Sequence, residues 1–283
     1  MTLSPYRPYA SSDPDDLTVM LPLSSMGERS YRNCFFKPDP NARVGAGQVV
    51  GQAVWAAAQS AKGWSVSALQ LCMLRAPRFD EWLEYAVESS GETPQTMTRH
   101  VYGVEGLETV SSMHVRFVPR DAFLPSPCQS EGCLAFDERR MANALVDHDG
   151  ERITKDIPFV EVHEENQADS NGGRQRVWCR LKHMVPSGEV WRAAALAFMA
   201  ASSIPAAVGI RFSVDGLSRW HFDSRDFSMF FYAGSFDAND WLLFDTEMVQ
   251  KSLGQHTFET KVYARSGVHL ATSMHTCVER DEF

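Results

Sequence analysis

Hydrophobic and polar residues follow two rhythms along this chain, and the rhythms recur twice in the same order. Residues 44–62, VGAGQVVGQAVWAAAQSAK, carry Val and Ala at helical spacing behind Gly45 and Gly47. This predicts a helix whose first turn exposes backbone N–H groups. Four runs of strand character follow: SALQLCMLR (67–75), EWLEYAVES (81–89), TMTRHVYGV (96–104) and TVSSMHVRFV (109–118). The order then repeats with VWCRLK (177–182), a second small-residue helix WRAAALAFMAASS (191–203), and SRDFSMFFY (224–232), DWLLFDTE (240–247), TFETKVYAR (257–265) and HLATSMHTCV (269–278). A helix lying across a curved antiparallel sheet gives each unit one apolar face per element, an α+β arrangement.

The repetition extends to residue identities. VYGVEGLETVSSMH (101–114) and VYARSGVHLATSMH (262–275) share Val-Tyr, a Gly and Ser-Met-His at equal offsets, and EWLEYAVE (81–88) pairs with DWLLFDTE (240–247). An internal duplication is expected, with His114 as the twin of His275. Between the halves, residues 125–173 change composition: LPSPCQSEG, then DERRMANALV, then a polar run ending in ENQADSNGG. The expected organisation is one unit over 20–123, a linker with one short helix over 124–174, and a second unit over 175–283.

Composition narrows the function classes. The chain has 283 residues, 44 % hydrophobic and 22 % charged, with 27 Lys and Arg against 36 Asp and Glu, a formal charge of −9. That balance disfavours binding to phosphate backbones, so no nucleic-acid partner is expected. No apolar run approaches the ~20 residues of a membrane span, and MTLSPYRPYASSDPDD is polar throughout. Six scattered cysteines do not make a disulfide scaffold. CVERDEF carries no peroxisomal signal of the Ser-Lys-Leu type, so a cytoplasmic location is expected. A homo-oligomeric assembly stays open.

Several common chemistries find no support. There is no G-x-S-x-G elbow, and the GAGQ segment lacks the preceding strand and acidic residue of a dinucleotide site. Cys128, Cys133 and His148 do not have metal-ligand spacing, and His163-Glu164-Glu165 is not H-E-x-x-H. Neither a metal nor a cofactor is expected.

Taken together, VGAGQVVGQAVWAA (44–57), SALQLCMLRAP (67–77), LAFMAASS (196–203), SRDFSMFFYAGSFDANDWLLFDTE (224–247) and GVHLATSMHT (267–276) resemble the double hot-dog acyl-CoA thioesterases. In that family two hot-dog domains are fused in one chain. The resemblance covers most of 30–119 and 177–280. It implies a helix wrapped by each sheet, sheets joined side by side, and an acyl chain entering between the halves. The family's catalytic groups are a helix Asp, a Ser or Thr two residues before a strand Asp, and a Gln on the last strand. The Ser/Thr position matches Ser224, followed by Asp226 and SMFF (228–231). The Gln position falls on His275 and the helix Asp on Ala201, and no carboxylate occurs from Arg192 to Val214.

The resemblance therefore implies thioester chemistry on a changed site. His275 and Ser224 are the catalytic candidates, an unperturbed imidazole near pKa ~6.5 being suited to accept a proton at neutral pH. The helix start at Gly47 and Gln48 could polarise a carbonyl. Asp226, Phe230, Phe198 and Met199 are the further substrate-binding candidates, and for all of these a purely structural role is the competing reading. The substrate would be a hydrophobic small molecule or acyl thioester. Three functions stay open: a thioester hydrolase, a cyclase, isomerase or dehydratase acting on a polyketide-like molecule with His275 as acid/base, and a non-catalytic acyl-binding protein.

Overall fold

A computed structural model describes residues 16–35, 44–78, 81–122, 159–164, 174–202, 222–233 and 235–279. The first half contains a short helix α1 (Leu17–Met20), strands β1 (Leu23–Gly27) and β2 (Ser30–Asn33), helix α2 (Ala46–Gln59), and strands β3 (Trp64–Met73), β4 (Leu83–Glu92), β5 (Met97–Glu105) and β6 (Glu108–Pro119). The second contains β7 (Val160–Glu164), β8 (Arg174–Leu181), helix α3 (Glu189–Ala201), β9 (Phe222–Phe231), β10 (Leu242–Ser252), β11 (Gln255–Ala264) and β12 (His269–Glu279). The helix and four strands expected of each unit are all present. Of the leading strands, β8 corresponds to the VWCRLK run, whereas β1, β2 and β7 were not read from the pattern. One of them, β7, lies inside the stretch expected to be linker and pairs antiparallel with β8. The short helix expected near DERRMANALV falls outside the described residues.

All twelve strands form one antiparallel sheet, ordered β1-β2-β4-β5-β6-β3-β9-β12-β11-β10-β8-β7. The order is a palindrome about the β3–β9 junction, where Ala68–Cys72 pairs antiparallel with Asp226–Phe230. A pseudo-two-fold axis therefore runs through that junction. Both helices lie on the same face and cross there. A Cβ on Gly47 would run into Ser202 Oγ and the Phe198 carbonyl oxygen, and one on Gly51 into Leu21 and Phe198, so these glycines permit the close approach of α2 to α3. Trp55 and Trp191 meet edge to face at 4.5 Å near the opposite end of the crossing.

Matching β-bulges give the residue equivalence of the halves. In β3 the extra residue opposite β6 is Ser67, between Val66 and Ala68; in β9 the extra residue opposite β12 is Arg225, between Ser224 and Asp226. In β4 it is Ser90 and in β10 it is Val249. These landmarks align Val66 with Ser224, Val115 with His275, Val101 with Thr260 and Val87 with Thr246. The expected twinning of His114 with His275 is thereby corrected. His114 is exposed on the outer face, stacked on His100 at 4.0 Å, whereas His275 is buried on the inner face. The hairpin turns explain the difference. Glu105 pairs directly with Glu108 in the first half, while in the second Ala264 bonds to Val268 across a longer turn. One residue of slip moves a strand's side chains to the opposite face.

Candidate active site

The Ser224 and His275 side chains are brought together from adjacent strands. Their Oγ and Nε2 atoms lie 2.9 Å apart, and this is the one hydrogen bond of the imidazole among the described residues. The bulge at Arg225 is what makes the contact. In an unbroken strand Ser224 and Asp226 would share a face; the extra residue turns Ser224 inward and leaves Asp226 outward. His275 is 6 % exposed, with the Phe227 ring edge-on at 5.5 Å. Full burial pushes its pKa down to about 4, because the cationic form loses its hydration with no anion to replace it. The expectation of an unperturbed imidazole is corrected accordingly: near neutral pH the ring is uncharged, and burial makes it a weaker base than a free imidazole.

One further row of the inner face lies next to this pair. Thr246, Thr260 and Ser273 stand side by side on β10, β11 and β12, all at most 5 % exposed. The two threonine hydroxyls bond to each other at 2.9 Å, and Ser273 has no hydrogen-bond partner among the described residues. The sequence signal for this row was present, as small polar residues alternating with others on three consecutive strands, but alternation alone does not say which set faces inward.

The other candidate residues fall into two groups. Gly47, Phe198 and Met199 sit in the helix crossing, where Phe198 also packs edge to face on Phe159 at 5.2 Å. Gln48 is buried, its Nε2 donating to the Phe35 carbonyl at 2.8 Å and its backbone N–H to the Gly45 carbonyl at 3.1 Å, so that N–H is committed to the helix's first turn. Asp226 and Phe230 lie on the outer face, across the sheet from His275, with Phe230 half exposed. Ala201 is fully buried on the last turn of α3, beside Ser202, whose hydroxyl donates to the Phe198 carbonyl at 2.6 Å.

A cleft of about 720 Å³ opens at the opposite end of α3, lined among others by Val185, Gly188, Arg192, Phe236 and Asn239. It does not reach Ser224 or His275. Among the described residues no cluster of His, Cys, Asp and Glu has the arrangement of a metal site. No helix among them is long and apolar enough to cross a membrane.

Two helices crossing on one face of a continuous twelve-stranded antiparallel sheet, with halves related by a pseudo-two-fold axis, define a double hot-dog protein. The family model described as acyl-CoA thioesterase C-terminal domain matches residues 133–278. The chain belongs to that family. Among solved structures it is similar to the tesB protein of Mycobacterium avium subsp. paratuberculosis, at 17 % identity and a TM-score of 0.76 over 93 % of this chain and 98 % of that one. It is also similar to the acyl-CoA thioesterase II TesB2 of Mycobacterium marinum, at 19 % identity and a TM-score of 0.70 over 94 % and 97 %. A conserved hot-dog protein of unknown function from Alicyclobacillus acidocaldarius matches at 14 % identity and a TM-score of 0.73 over 94 % and 98 %. At these identities the likeness shows the fold. No curated protein matches the chain in sequence.

Proposed function

We propose that the protein is a cytoplasmic acyl-thioester hydrolase that works from one site, the Ser224–His275 pair of its second half. One observation carries this reading. The fold fills the equivalent positions of the first half with Val66 and Val115, so the backbone does not require polar groups there. Burying an imidazole where valine fits disfavours folding, which argues for a chemical use. On this reading the chain is two units, the first over 20–123 and the second extended from the expected 175–283 to take in β7, and only the second is competent.

His275, neutral above about pH 4, accepts the proton of an attacking water or hydroxyl, and Ser224 holds that group at hydrogen-bond distance. The start of α2 packs against the last turn of α3 through Gly47, which sets the positive end of a helix dipole beside Ala201. A developing oxyanion is stabilised in such a place. The chain has no carboxylate from Arg192 to Val214 to orient the water, so turnover of straight-chain acyl-CoAs is expected far below that of a relative with an intact site.

That missing carboxylate favours a second reading, in which His275 moves a proton on the substrate itself, as a cyclase, isomerase or dehydratase would require. Thiol release from acyl-CoAs of graded length, with product analysis by mass spectrometry, separates the two. Release that depends on His275 supports hydrolysis. A rearranged product with the thioester retained supports the second reading, and tight binding without conversion overturns both.

A further inference from the structure

We infer that Ser224 is itself the nucleophile, attacking the thioester carbonyl to form a covalent acyl-enzyme that water then hydrolyses. This rests on the proposed acyl-thioester reading and names the path by which that site works. Ser224 stands on β9, the strand at which the halves join, and is only half-buried, whereas His275 lies buried beside it. The hydroxyl and Nε2 are already 2.9 Å apart, so a proton can pass between them without rearrangement. Packing holds the ring in place, with Phe227 of β9 and Phe258 of β11 directly across from His275 on either side.

The missing carboxylate decides between a serine and a water as the attacking group. A water must be oriented by a further group, yet the matched helix position is Ala201 and no carboxylate occurs from Arg192 to Val214. A serine hydroxyl is positioned by its own backbone, here by the bulge that turns it towards His275. The first step therefore runs without the absent group. Ser224 gives its proton to His275 Nε2 as Oγ bonds to the carbonyl carbon. The carbon–sulfur bond breaks, and the departing thiolate takes that proton and leaves as a free thiol. In the second step a water gives a proton to Nε2 and attacks the ester carbonyl. The carbon–Oγ bond breaks and Oγ recovers the proton, so one thioester and one water become one acid and one thiol. With no carboxylate to orient that water, the second step is the slow one and the acyl-enzyme accumulates. The first half holds Val66 and Val115 at the equivalent positions, so each chain carries a single acyl group.

The test uses rapid mixing with the acyl-CoA that is turned over fastest in the graded-length series. Wild-type protein is expected to release a burst of about one thiol per chain, followed by a steady rate at least ~10-fold slower. Protein quenched in acid during the steady phase should be heavier by one acyl group, located on Ser224 by peptide fragmentation. Ser224→Ala, a change towards the first half's apolar residue and expected to fold, should lose both burst and adduct. Thiol release by the wild type with no acyl group on Ser224 overturns the inference and leaves the hydrolase reading intact. Thiol release by Ser224→Ala at the wild-type rate does the same. If no thiol is released at all, the hydrolase reading fails, and a fluorophosphonate, which reacts with a serine activated by a neighbouring base, decides. Labelling at Ser224 that is lost in His275→Val supports a nucleophilic Ser224; no labelling overturns it.

Discussion

On the inner face of the first half, polar side chains reach the helix above them. Tyr85 on β4 donates its hydroxyl to Gln52 Oε1 of α2 at 2.9 Å, and Gln52 Nε2 in turn donates to the Met20 carbonyl at 2.7 Å. Arg99 on β5 donates Nε to Ser60 Oγ at the end of α2, also at 2.9 Å. In the second half the positions equivalent to Tyr85 and Arg99 hold Phe244 and Phe258. Polar groups sit there instead at Ser224, His275, Ser273, Thr260 and Thr246, where the first half is Val or Met. Their bonds run to one another and not to α3. One half uses its buried polarity to clamp a helix; in the other these groups make no such bond to their own helix among the described residues. Burying polar groups where the same backbone accepts Val or Met disfavours folding, so the difference between the halves points to use rather than to architecture.

The sharpest way to break this contrast is to make the second half like the first. His275→Val, the first half's own residue, is expected to lower turnover by ~10²–10⁴-fold while leaving the melting temperature equal or higher. Near-normal thiol release from a folded His275→Val protein would return the pair to a structural role.

The pH dependence follows next in size. The folded pKa of His275 lies at about 4 against 6.5 for the unfolded chain, so the unfolded state binds a proton first on acidification. The stability held by the neutral ring is whole above about pH 6.5 and is lost as pH falls towards 4, up to about 3 kcal/mol in all. Urea midpoints between pH 7 and pH 4 should show this, and His275→Val should remove that share of the slope. Over the same window, kcat/KM should stay level from pH 8 to about 5, with no limb near 6.5.

The converse exchange tests the clamp. Tyr85→Phe, which installs the second half's residue, leaves Gln52 Oε1 without its donor. It is expected to destabilise the fold by about 1–2 kcal/mol with turnover unchanged. A loss of activity beyond what unfolding explains would mean that the first half contributes to the site. Smallest of all is His114→Ala. That ring stacks on His100 in the open, so stability should move by no more than about 0.5 kcal/mol and the rate not at all.

Much of this molecule is written in its linear pattern. Helical spacing in 44–62 and 191–203, alternation in the eight later runs and their repeated order specify two helix-on-sheet units, because burial of one face imposes a period of 3.6 or of 2. The family resemblance, carried onto this chain by spacing from Gly267 and by the SMFF segment, also named His275 and Ser224 as candidates. Tertiary structure decided which residues share a face. A period of two carries no record of a bulge or of one residue more in a turn, so the match of 101–114 with 262–275 paired two histidines that stand on opposite sides of the sheet. The bulge at Arg225 likewise turned Ser224 inward, away from Asp226. The basicity of His275 was beyond the reach of the sequence for the same kind of reason. Its pKa depends on how completely water is excluded, and that is set by Phe227 and the rest of the packed inner face, contributed by strands far apart in the chain.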